Sequence, residues 1–304
     1  MKKAKYSENI YFNSEGTIFM GAERESQNCE IAIFGVPYDG TTSFRPGSRF
    51  GPAAIRDVSN GIETFCPQFK LDIAELKFAD LGSLEIPYGD PEPVIELVRQ
   101  ATGKIVSQGH KPLILGGEHS ISSGAINATV EHHNNLIVIQ LDAHADLREE
   151  WLGSKYNHAC AMSRCLDVLP SKQLFQIGIR SGSREEFQKL AESNRLIPFI
   201  KGTQAHNLKE KLKPFIGTPI YLSIDLDWFD PSVLPGTGTP EPGGYLWDDF
   251  AAVIDVLKEH NIVAADIVEL SPQLDPFGMS SIFAAKVTRS ILILLSSRIP
   301  AKTQ

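Results

Sequence analysis

The chain has 304 residues, a net charge of −8, 42% apolar and 22% charged residues. This is a globular composition and not a disordered one, and its acidic balance gives no electrostatic reason to expect a nucleic-acid partner. Apolar runs such as Leu136-Ile137-Val138-Ile139 and Ile291-Leu292-Ile293-Leu294-Leu295 are too short to cross a bilayer, and the polar N-terminus shows no secretory signal, so the expectation is a cytoplasmic protein with no membrane partner.

The first 25 residues read as irregular. A β-branched run at 31–36 predicts the first strand, which enters the rigid loops Gly35-Val36-Pro37-Tyr38-Asp39-Gly40 and Arg45-Pro46-Gly47-Ser48-Arg49-Phe50-Gly51-Pro52. A strand at 77–81, a helix at 92–107 and a strand at 112–115 follow, and then Gly116-Gly117-Glu118-His119-Ser120. After a helix at 121–132, the run 136–141 ends in Asp142-Ala143-His144-Ala145-Asp146. Strands at 174–179 and 197–200 flank a helix at 185–192. The run 220–224 ends in Asp225-Leu226-Asp227, ahead of a stretch crowded with Pro and Gly. A helix at 247–259, a strand at 262–268 ending at Glu269, and a helix at 281–296 complete the pattern. The runs 136–141 and 220–224 are apolar nearly throughout, as strands buried on both faces of a helix-covered parallel sheet are. The alternation predicts an α/β fold with eight strands. Length alone suggests about two domains, but no linker or repeat divides the chain, and a single domain over 1–304 is expected.

Carboxylates and histidines cluster after strands. In an open parallel sheet the carboxyl ends of the strands share one edge, where ligands bind. His119, Asp142, His144, Asp146, Asp225, Asp227 and Glu269 are therefore expected in one cleft. Residues two apart on an extended chain point the same way, so Asp142, His144 and Asp146 can converge, as can Asp225 and Asp227. Any one of them alone would read as a helix cap, a turn residue or a packing histidine. Four carboxylates brought together cannot all stay ionised without cations. Carboxylates and imidazoles without a thiolate suit Mn²⁺ rather than a structural zinc. Six ligands suit a pair of ions that ionise a bridging water. The surrounding negative charge favours a cationic substrate with an electron-poor carbon, which suggests a guanidinium. Cys29, Cys66, Cys160 and Cys165 have no zinc-like spacing and read as reduced, buried thiols.

Gly116-Gly117-Glu118-His119-Ser120, Asp142-Ala143-His144-Ala145-Asp146 and Ser223-Ile224-Asp225-Leu226-Asp227-Trp228-Phe229-Asp230-Pro231 resemble, in this order, the three metal motifs of the ureohydrolases, the arginases and agmatinases. Gly35-Val36-Pro37-Tyr38-Asp39 and Gly47-Ser48-Arg49-Phe50-Gly51-Pro52 are also similar, so the resemblance spans about residues 31 to 297. It implies a three-layer αβα fold with an eight-stranded parallel sheet, and two Mn²⁺ per subunit, with nickel in some relatives. One ion would be held by His119, Asp142, Asp146 and Asp225, the other by His144, Asp142, Asp225 and Asp227. His158 matches the family's catalytic histidine and Glu269 its guanidinium-binding carboxylate, so His158, Glu269 and Asp146 are the candidate catalytic residues. Many relatives have Gly where this chain has Ala159. A homotrimer or homohexamer is implied.

The stretches His158-Ala159-Cys160-Ala161-Met162-Ser163-Arg164 and Arg180-Ser181-Gly182-Ser183-Arg184-Glu185-Glu186 look agmatinase-like, and a serine stands where arginases place an aspartate after the Ile177-Gly178-Ile179-Arg180 strand. The expected reaction is hydrolysis of agmatine to putrescine and urea through a metal-bridging hydroxide, in polyamine biosynthesis. Arginine, guanidine or guanidinobutyrate are alternative substrates; for the last, Arg45, Arg49, Arg164 or Arg184 could contact the carboxylate. Readings of another class are a single-zinc deacetylase and a catalytically silent binding or regulatory subunit.

Overall fold

A computed structural model describes residues 10–14, 16–25, 28–197 and 204–296. The strands in chain order are β1 (Phe12–Asn13), β2 (Ile31–Gly35), β3 (Phe65–Cys66), β4 (Leu71–Asp72), β5 (Phe78–Leu84), β6 (Lys111–Leu115), β7 (Ile137–Leu141), β8 (Leu174–Ile177), β9 (Leu196–Ile197), β10 (Pro219–Asp225) and β11 (Asn261–Val268). The helices are α1 (Gly51–Ser59), α2 (Pro91–Ser107), α3 (Ile121–His132), α4 (Ala161–Leu166), α5 (Arg184–Ser193), α6 (Gln204–Leu212), α7 (Trp247–Leu257) and α8 (Met279–Ser296). β3 and β4 form a small antiparallel pair of their own.

The main sheet runs β1-β5-β2-β6-β11-β10-β7-β8-β9. Eight of its strands are parallel, as expected, and β1 adds a ninth, antiparallel to β5. The N-terminal residues are thus not wholly irregular: they supply this edge strand and the buried Phe19 and Met20. The expected strand at 197–200 appears as β9, and residues 198–200 lie outside the described residues.

Alternate residues of each strand enter different cores. Ile31 and Ile33 pack on one face with Ile55 of α1, Leu208 and Leu212 of α6, Phe250 of α7 and Leu292 of α8. Ala32 and Phe34 pack on the other with Val98 of α2, Ile126 of α3, Met162 of α4 and Leu190 of α5. The result is the expected three-layer αβα architecture. α8 is long and apolar enough to span a bilayer, but 72% of it is buried in the fold, against α1 and the sheet.

Three helices escaped the sequence reading. α1 begins with Gly51-Pro52, which resembles loop punctuation, yet proline in the first turn suits a helix because its missing N–H is not needed there. α4 has six residues, too few to show a period. α6 is mostly polar and buries Leu208 and Leu212, one turn apart.

One buried ion pair ties α1 to β5. Arg56 donates through Nε and Nη2 to Asp80 at 2.8 Å each, and Asp80 also accepts the Phe19 N–H at 2.8 Å. Asp80→Ala would leave the guanidinium buried without its counterion. The expected loss of stability is about 3–5 kcal/mol, read from the urea unfolding midpoint.

Candidate metal centre

β6, β11, β10 and β7 are neighbours in that order, and their carboxyl ends bring together the residues expected to meet. His119 follows β6, Glu269 follows β11, Asp225 ends β10 with Asp227 just beyond, and Asp142, His144 and Asp146 follow β7. His119 Nδ1 lies 3.0 Å from Asp142, 3.0 Å from Asp146 and 3.3 Å from Asp225. His144 Nδ1 lies 2.8 Å from Asp227 and 3.7 Å from Asp142. Two groups could each hold a cation: His119, Asp142 and Asp225, and Asp142, His144 and Asp227. Asp142 belongs to both. Two such groups fit a pair of ions better than the single-zinc deacetylase reading.

The local backbone differs from simple strand alternation. Asp146 reaches His119 through a left-handed residue, φ 52°, a conformation costly for a non-glycine residue. Asp225 caps a short 3₁₀ turn (Leu226–Trp228), and its Oδ1 accepts the Asp227 N–H at 2.8 Å, so this pair converges through a turn. Glu269 also has a left-handed backbone, φ 67°, and its Oε1 accepts the His119 N–H at 2.9 Å.

Further residues hold the cluster in place. His119 Nε2 meets Ser223 Oγ at 2.9 Å, and Ser223 donates to Asp266 at 2.7 Å. Because the serine proton is committed to Asp266, the imidazole donates from Nε2, and neutral His119 turns the lone pair of Nδ1 toward the three carboxylates. Among the described residues Nδ1 has no well-formed hydrogen bond. A buried lone pair and three carboxylate oxygens facing one point fit a divalent cation. Gln140 donates to Asp142 at 2.6 Å, the Ala143 N–H to Asp227 at 3.1 Å, and Arg180 to the Asp227 carbonyl at 2.8 Å. Gln140 and Asp266, buried polar residues on strands outside any motif, did not stand out in the sequence, and nothing in the stretches holding Ser223, Ala143 and Arg180 marked their supporting role.

The metal-free charges follow. Burial alone would lower His119, but Asp142, Asp146 and Asp225 outweigh it and hold it well above the ordinary histidine value. His144 is raised against burial by Asp227 and Asp142. Burial and the charge of Asp142 push Asp146 up to about 6. Burial, then Asp227 and Asp142, raise Asp225, and burial, then Glu118, raise Glu269. Asp142 is low despite its burial, because both histidines bond to it. Without metal, protons take over part of the neutralisation.

Above the cluster opens a cavity of about 240 Å³, lined by His119, His144, Asp146, Asp225 and Glu269. His158, Arg148 and Trp151 also line it. Arg148 lies 3.8 Å over the Trp151 ring and 3.6 Å from Glu186. Ala159 sits in a 3₁₀ turn (His158–Cys160), outside the left-handed region, so a glycine is not needed there. Cys160 is buried, and burial pushes its thiol up to about 11, far from a thiolate nucleophile. All four cysteines are free and buried. Of the arginines named above, Arg45 donates to the Thr237 carbonyl at 2.7 Å, Arg49 pairs with Asp39 and Arg164 with Glu149. Neither they nor Arg184 line the cavity.

The sequence pattern of the Arginase family matches residues 29–294. The chain belongs to the arginase family. This arginase-family chain is 35% identical over 282 residues to the agmatinase of Bacillus anthracis, covering 91% of this chain and 96% of that protein. It is 36% identical over 263 residues to the N(1)-aminopropylagmatine ureohydrolase of Thermococcus kodakarensis, covering 84% and 88% of the two chains. The crystal structure of the agmatine ureohydrolase of Thermoplasma volcanium superposes with a TM-score of 0.78 at 35% identity, over 88% of this chain and 90% of that one.

Proposed function

We propose that this chain is an agmatinase-type ureohydrolase, which hydrolyses agmatine to putrescine and urea with two divalent ions, manganese in our reading, as a homotrimer or homohexamer. The observation that carries the reading is the pair of cation-holding groups sharing Asp142 at the floor of a cavity lined by Glu269 and His158. Similarity to agmatinases favours agmatine among guanidine compounds.

His119, Asp142, Asp146 and Asp225 would hold one ion, and His144, Asp142, Asp225 and Asp227 the other. Bound there, such ions make water acidic enough to react near neutral pH and offset the cluster's charge. Glu269 accepts N–H groups of the planar guanidinium, for which a carboxylate is well shaped. His158 passes a proton to the departing amine.

Urea release from agmatine, N(1)-aminopropylagmatine, arginine, guanidinobutyrate and guanidine tests the assignment, with protein loaded separately with manganese and nickel. Agmatine is expected to lead by roughly tenfold or more in kcat/KM, within the range that a few pocket contacts supply. Preference for another guanidine rejects agmatine as the substrate. No urea from any of them rejects the enzyme reading in favour of a binding subunit. Arg148 on the cavity wall gives guanidinobutyrate, with its anionic tail, a specific claim as second reading, although Glu186 offsets part of that charge.

A further inference from the structure

His158 is held by another loop, not by its own. Its Nδ1 lies 2.8 Å from the Thr41 carbonyl, and its backbone N–H donates to Thr41 Oγ1 at 3.0 Å. A carbonyl can only accept, so Nδ1 carries the proton and, in the neutral ring, Nε2 carries the lone pair. Nε2 meets Ser43 Oγ at 3.1 Å, and both Ser43 and His158 line the cavity. Thr41 is itself clamped: its Oγ1 donates to Glu118 Oε1 at 2.6 Å and its N–H to the same oxygen at 3.1 Å. Glu118 is buried next to His119, accepts the Ser120 N–H through Oε2 at 2.9 Å, and donates its own N–H to the Tyr38 carbonyl at 2.7 Å. The loops meet backbone to backbone at Gly117, where a Cβ would lie 1.8 Å from the Tyr38 oxygen. Hydrogen bonds therefore link the loop bearing His119 through Thr41 to His158: the Thr41 hydroxyl reaches its backbone N–H and the Thr41 carbonyl its ring.

We propose that Thr41, clamped by Glu118, is a positioning residue that fixes His158 in the Nδ1–H form with Nε2 turned to the cavity. The inference rests on the reading of His158 as the proton-transfer group. Selecting the tautomer leaves Nε2 as the ring nitrogen that first takes up a proton within the cavity and then hands it to the departing amine, and the clamp keeps it in register with the metal-binding loop.

The test uses the manganese-loaded full chain, the best guanidine from the substrate panel, and four variants: Thr41→Val, Thr41→Ser, His158→Asn and the Thr41→Val/His158→Asn double. Thr41→Val, which removes both hydrogen bonds of Oγ1 and keeps the carbonyl, is expected to lower kcat about tenfold, within the worth of those two bonds, with KM and metal content unchanged. Thr41→Ser, which keeps the hydroxyl, is expected to restore most of it. His158→Asn is expected to lower kcat about 100-fold, and the double variant to be no slower than His158→Asn alone. Nitrogen-15 shifts of the His158 ring are expected to report Nδ1–H in the parent protein and a smaller share of that form in Thr41→Val, where the carbonyl remains but the hydroxyl no longer ties it to Glu118 and to the His158 N–H. Full activity in Thr41→Val, or an equal loss in both backgrounds, overturns the positioning role while leaving the reading of His158 intact. Unchanged kcat in His158→Asn overturns both.

Discussion

Asp142→Asn is expected to lower urea release by about three orders of magnitude or more, and to reduce bound manganese from about two ions per chain to one or fewer. Asp142 belongs to both cation-holding groups, so its loss weakens both at once. Charge stabilisation by metal is worth several kcal/mol, and each 1.4 kcal/mol is tenfold in rate. An amide supplies a neutral oxygen where an anion is needed and directs N–H groups into a space framed by His119 and His144. The chain should still fold, because the substitution is nearly isosteric and the apolar cores lie on the faces of the sheet, away from this edge. Elemental analysis and a urea assay on the same sample decide the matter. Unchanged turnover would contradict the shared position of Asp142, and a retained pair of ions would contradict its part in holding them.

Stripping the metal is expected to abolish turnover and to give the protein a stability that falls as pH rises from 5 to 8. A carboxyl whose folded value is raised adds stability below its unfolded value, and that contribution is lost as pH climbs through the folded one. Asp146 does this between the ordinary 3.8 and about 6. Asp225 and Glu269, raised further, extend the loss to higher pH. His119 and His144 are raised as well and act with the same sign: their stabilisation is present below the ordinary 6.5 and disappears as pH rises through their folded values. Asp142 is lowered, so its contribution is lost only in strong acid, outside this window. Metal competes with these protons for the same atoms, so its affinity rises with pH. The thermal midpoints of chelator-treated and manganese-loaded protein should therefore diverge with pH, by roughly 5 °C or more at pH 8. Parallel curves would show that the cluster holds no ion, and residual turnover after stripping would show that it needs none.

Much of the site could be read before any fold was known. The three metal motifs carry several chemistry-bearing residues within five positions of one another, and that proximity survives folding. The residues around them are another matter. Thr41 and Asp266, outside the motifs, act through partners 43 to 117 positions away, and a threonine or aspartate in isolation does not announce a partner. Extended alternation pairs the right neighbours, but the chain brings them together by another local route. Asp146 and Asp227 arrive through a left-handed residue and a 3₁₀ turn, since short polar side chains let the backbone bond to itself at strand ends.

From the amino-acid order alone came the alternation of strand and helix, the eight parallel strands, the acidic character of their carboxyl ends and the need for cations there. Those follow from local periodicity and from the cost of crowding like charges, which depend on nearby residues. Only the tertiary structure decided that β6, β11, β10 and β7 stand side by side, which places His119, Glu269, Asp225 and Asp142 around one point, and that the loop after β2 grips His158. Strand order is set by how crossover helices pack on the two faces of the sheet, a global property that no window of sequence contains.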